Sequence, residues 1–152
     1  MAGVVPLAKS LKDSPYKVAV IGSHASALPL EVLQLEGVDF VVMNEGIYSL
    51  HNLLATDLVD VGKTGFCYKQ DGLPVICPPQ PIVPQSQIDT VLPGYSFDLL
   101  PSLDKYRSCN WHADFNNSYR SPFAAIYTSL GCSFKCTFCM ISILNRTSID
   151  EN

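Results

Sequence analysis

The sequence predicts an α/β protein whose first half is built on a parallel sheet. Two observations carry that prediction. Short, β-branched, almost wholly apolar runs at 16–21 and 38–43 alternate with helical runs at 29–35 and 48–58. Strands that read as continuously apolar are buried on both faces, as strands of a parallel sheet are. The loops that follow the two strands, Gly22-Ser23-His24 and Asn44-Glu45-Gly46, each carry a glycine. Such short glycine-bearing connections suit βα units.

Each element follows in order. Residues 6–12 read as the end of a helix, stopped by the turn Asp13-Ser14-Pro15. Residues 16–21 form the first strand, and Gly22-Ser23-His24 is a tight loop at its C-terminal end. Residues 29–35 form a helix with Pro29 in its first turn and Gly37 beyond its end. Residues 38–43 form the second strand, and 48–58 an amphipathic helix. Residues 64–68 and 74–77 then pair as a β-hairpin about Asp71-Gly72. From 78 to 101 the chain is proline-rich and irregular, the composition of a linker. Residues 123–129 read as a further buried strand, and Gly131 opens a cysteine loop. The predicted divisions are 1–62, a hairpin and linker over 63–120, and 121–152.

Composition narrows the function classes. The 152 residues carry 10 basic and 14 acidic side chains, a net charge of −4, and 47% are hydrophobic. No basic stripe exists to neutralise phosphates, so nucleic-acid binding is not expected. No apolar run approaches the roughly 20 residues that span a bilayer. The first residues lack the charged and apolar regions of a signal peptide, so the chain reads as cytoplasmic. The six cysteines stand at 67, 77, 109, 132, 136 and 139. Three within eight residues suggest a metal site rather than a secreted disulfide framework.

Cys132, Cys136 and Cys139 have the spacing Cys-x3-Cys-x2-Cys. Three thiolates are one short of a closed tetrahedral zinc site. On a [4Fe–4S] cluster they leave one iron open to another ligand. Two other readings stay open: a zinc-stabilised binding module, with Cys109 or His112 as fourth ligand, and a small iron–sulfur electron carrier.

The loop resembles that of the radical S-adenosylmethionine superfamily, in which an aromatic residue, here Phe138, precedes the last cysteine. The resemblance implies that Cys132, Cys136 and Cys139 hold a [4Fe–4S] cluster. It implies that S-adenosylmethionine binds the open iron and that Phe138 lies near its adenine. Residues 123–129 would then be the first strand of a β/α barrel. The implied activity is radical chemistry on a small-molecule or lipid-like organic substrate, either methyl transfer or rearrangement of rings or C–C bonds. An electron donor such as ferredoxin or flavodoxin is the implied partner.

The N-terminal half is similar to the later part of the cobalamin-binding, Rossmann-like domain that precedes many such cores. Those domains carry a Gly-Gly-x-His loop and a Gly-Glu-Gly loop. The corresponding residues here are Gly22, Ser23 and His24, then Glu45 and Gly46; Ser23 and Asn44 stand where the family has glycine, and His24 follows Ser23 directly, one place earlier than the family's histidine. The resemblance implies that these residues face cobalamin. The Asp-x-His-x-x-Gly loop that supplies the family's lower axial histidine does not occur, and His24, His51 and His112 have other contexts. The expected architecture is therefore a partial Rossmann-like sheet, a hairpin and linker, and the start of a truncated barrel. On this expectation the chain is a fragment, inactive alone, with the histidine loop encoded upstream and roughly 200 residues of barrel downstream. Cys67 and Cys77 are expected as thiols facing each other across the hairpin.

Overall fold

The fold is organised around β2 (Phe40–Val42), the one described strand buried at every residue. A computed structural model describes residues 3–55, 65–78, 80–107, 121–126, 131–134 and 136–144. β1 (Ala19–Ile21) pairs with β2 in parallel, with Ala19 opposite Phe40. β3 (Phe66–Gln70) pairs with the other edge of β2 antiparallel, and β4 (Leu73–Ile76) completes the order β1-β2-β3-β4. The sheet is thus mixed. The hairpin does not stand apart from the βα half but extends its sheet.

The alternation along β2 explains why both faces are covered. Val41 points to one face, among Ala25, Val32, Leu33, Val38, Met43 and Cys67. Phe40 and Val42 point to the other, with Phe66 and Leu53. Phe66 stands edge-on to Phe40, the ring centroids 5.8 Å apart and the planes at 85°, an arrangement aromatic quadrupoles favour.

The helices supply the two outer layers. α1 (Val4–Leu11) contributes Ala8 to the first face. α2 (Ser23–Ala27) and α3 (Pro29–Leu33) also cover it. α4 (Ile47–Ala55) places Leu53 on the second. α2 occupies part of the stretch expected as a plain loop. Gly22, at φ +128°, turns the chain at once into a helix, and Pro29 then starts a second one at its first position. Gly37 has φ +86°, and a side chain there would run into the backbone of Ala8. The Asp71-Gly72 turn has positive φ at both residues, 52° and 80°, as a two-residue hairpin requires.

Two compact units are present, one made of 1–83 with 131–152 and one of 84–130. In the second, 3-10 turns at Gln85–Gln87, Phe97–Leu99 and Leu103–Lys105 accompany α5 (Ile88–Val91), and none of its described residues is buried. Residues 123–126, expected in a buried strand, form no ladder, and Ile126 is 61% exposed. A strand has to pair to satisfy its backbone, and no described strand lies beside this one. Residues 127–129 of that expected strand lie outside the described residues. No helix among the described residues is long and apolar enough to cross a membrane.

Candidate functional site

The cysteine loop begins at Gly131, whose φ of +77° admits a sharp turn. Its Cys136–Cys139 segment is closed by the Cys139 amide, which donates to the Cys136 carbonyl at 3.1 Å. The Ser142 hydroxyl, in the first turn of α6 (Ile141–Leu144), then donates to the Cys139 carbonyl at 2.9 Å. Cys132 and Cys136 are exposed and Cys139 is half-buried, all three as thiols. Phe138 is 92% exposed, its ring faces open to a stacking partner. The donor set suits a three-thiolate centre in kind, number and accessibility. Among the described residues no three His, Cys, Asp or Glu side chains are gathered around a metal position. The loop thus brings the thiols onto one short segment without drawing them together. Cys109 and His112, the candidates for a fourth zinc ligand, lie outside the described residues.

The second group of residues sits at the C-terminal ends of β1 and β2, where parallel sheets bind ligands. Gly22 leaves open space where a side chain would stand. His24 on α2 lies 3.5 Å from the Glu31 carboxylate on α3. Asn44 takes the left-handed conformation at φ +59°, and Gly46 follows at φ +69°. A Cβ on Gly46 would stand 2.5 Å from Ile21 Cδ1 and 2.7 Å from Val42 Cγ1, so the loop closes tightly over both strand ends. Glu45 lines a pocket with Gly46, Ser49 and the strap 80–83. That pocket has room for about one water. The Ser49 hydroxyl, fully buried, has no hydrogen-bond partner among the described residues.

Two features join these groups. α6 packs against α2, so the helix leaving the cysteine loop rests on the helix that carries His24. Ser26, also on α2, donates to the Gly22 carbonyl at 2.9 Å and accepts from the Asn44 amide at 2.8 Å. Gly22, Ser26 and Asn44 therefore clamp the two strand ends together. Sequence reasoning missed Ser26. Its only signal is a serine four residues after a loop glycine, the spacing at which a hydroxyl returns to the helix's own carbonyl.

The chain resembles a methyltransferase. Over 146 residues it is 30% identical to an uncharacterized methyltransferase of Pyrococcus horikoshii, a match covering 92% of this chain and 28% of that protein. This chain therefore spans well under a third of the Pyrococcus protein's length. No family model matches the chain, and no solved structure matches it. The match to the Pyrococcus methyltransferase takes in nearly all of the chain, so the sheet and the cysteine loop belong to one related stretch.

Of the remaining cysteines, Cys67 and Cys77 are both buried. The Cys67 thiol is pushed up to about 12 by burial, with Cys77 adding to the effect. It lies 3.9 Å from the Met43 sulfur. A thiol so held stays protonated and behaves as a small apolar side chain.

Proposed function

We propose that this chain is the cluster-bearing part of a radical S-adenosylmethionine methyltransferase. The observation that carries the reading is the Cys132–Cys139 loop, three accessible thiols at Cys-x3-Cys-x2-Cys spacing, with Phe138 exposed beside the last. The methyltransferase name of the Pyrococcus relative favours methyl transfer over ring or C–C rearrangement. A reduced [4Fe–4S] cluster, when bound, supplies an electron to S-adenosylmethionine at its open iron.

The chain's own residues hold and position. Cys132, Cys136 and Cys139 bind as thiolates, so loading releases their protons. Phe138 offers an aromatic face to the adenine, and the turn between Cys136 and Cys139 sets where that ring stands. Gly22 lets a ligand approach the backbone at the strand end, as glycine does wherever backbone contact is needed. Gly22, Ser23, His24, Glu45 and Gly46, at the C-terminal ends of β1 and β2, are the residues that would face cobalamin. The substrate class this chemistry suits is an organic molecule with an unactivated carbon, served by a ferredoxin- or flavodoxin-like donor.

Anaerobic reconstitution with iron and sulfide tests the reading. About four irons per chain are expected, with uptake lost in Cys136→Ala. The spectrum of the reduced cluster should change when S-adenosylmethionine is added. A preparation holding zinc and no iron, or a spectrum indifferent to S-adenosylmethionine, would sink it.

A further inference from the structure

We propose that α2 links the cysteine loop to the ends of β1 and β2, so that loading the loop with metal orders residues 22–27 and 44–46. The inference rests on the reading of Cys132, Cys136 and Cys139 as a metal centre. Three observations compose the linkage. The Cys136–Cys139 turn and the Ser142 bond to the Cys139 carbonyl tie the last two cysteines directly to the start of α6. α6 rests on α2. α2 in turn holds both strand ends through one buried hydroxyl, Ser26, bonded to Gly22 and to Asn44. Gathering three thiols that the loop now holds apart has to move or fix that loop, and the first element to feel it is α6. Because α2 is only five residues long, it has little stability of its own. Its order depends on what it packs against. Linkage is reciprocal, so a ligand at Gly22 or Glu45 would also tighten metal binding at the loop.

Ser26 is thus a positioning residue, touching neither metal nor substrate. Hydrogen exchange read by mass spectrometry tests the linkage on the chain before and after anaerobic iron–sulfide loading, with iron per chain measured on the same samples. In the loaded chain exchange over 23–27 and 44–46 is expected to slow about tenfold, within the ordinary range for coupled sites. The hairpin turn at 71–72 should be unchanged. In Ser26→Ala, loading should still protect 23–27 but no longer 44–46, and Ser26→Thr, which keeps the hydroxyl, should restore the protection. A merely structural serine would raise exchange in both states without altering the difference between them. Iron uptake with no change in exchange at either segment overturns the linkage and leaves the cluster reading standing. No iron uptake overturns both. The wild-type comparison suffices if Ser26→Ala does not fold.

Discussion

Cys67 shows how a single side chain reports its surroundings. Its thiol stays protonated up to about 12, whereas the ordinary value is 9.0. The folded state therefore binds this proton more tightly than the unfolded chain does. That contribution is complete below about pH 9, and it is lost as the pH rises from 9 toward 12 and the unfolded thiol ionises. Urea midpoints are expected to fall over that window, and to fall less steeply in Cys67→Ala. Equal slopes in the two proteins would show that Cys67 titrates alike folded and unfolded. Cys67 and Cys77 are legible in the sequence as a pair on the hairpin. The register places Cys67 opposite Ile76, while the Cys77 amide bonds to the Phe66 carbonyl. The two cysteines thus stand one step apart along the ladder and do not directly face each other. Ser26 is not legible as a clamp, because its two partners lie on different loops that only the folded chain brings together.

At the scale of elements, the strongest packing is where β3 meets β2. Phe66 is fully buried between Phe40 and Leu53, and its ring also meets Tyr68 edge-on at 6.1 Å. Phe66→Ala removes a ring from a closed cluster and is expected to cost about 3–5 kcal/mol. Chemical denaturation checks it, and a loss under 1 kcal/mol would mean the face collapses around the gap. β1, β2 and the hairpin are each readable from local signals: β-branched runs, a glycine after each strand, and an Asp-Gly turn. Which edge of β2 takes the hairpin is not readable, because pairing partners depend on packing across the sheet. Residues 123–126 show the converse. Their apolar run satisfies a local pattern for a strand, yet none of the described strands pairs with them and they form none.

At the scale of the molecule, the cysteines sort by place. Cys67 and Cys77 are sealed in the sheet, and Cys132 and Cys136 stand open on the loop. Brief treatment of the native chain with iodoacetamide should alkylate Cys132 and Cys136 and spare Cys67, read by peptide mass spectrometry. Alkylation of Cys67 at the same rate would contradict the buried sheet. The βα half and the cysteine motif are both legible because each is a compact local signal. Their meeting through α2 and α6 is not, since the two helices are separated by more than a hundred residues and neither has a sequence mark of its partner.

The mixed pairing of the sheet also sets how much chain entropy each seam costs to close. The hairpin joins Gln70 to Leu73 across two turn residues, a loop about as short as a chain can close. The parallel seam joins Ala19 to Phe40 only after two helices have intervened. Closure cost grows with the logarithm of loop length, and β1, half-buried only at Val20 and exposed at Ala19 and Ile21 rather than buried on both faces as its apolar run predicts, has little side-chain burial to offset it. Asp39 answers that need at the seam itself. It accepts the Val18 amide and the Lys17 ammonium, each at 2.9 Å. A carboxylate thus latches the entry of β1 beside the start of β2, and the register of the parallel pair is held by charge as well as by oil.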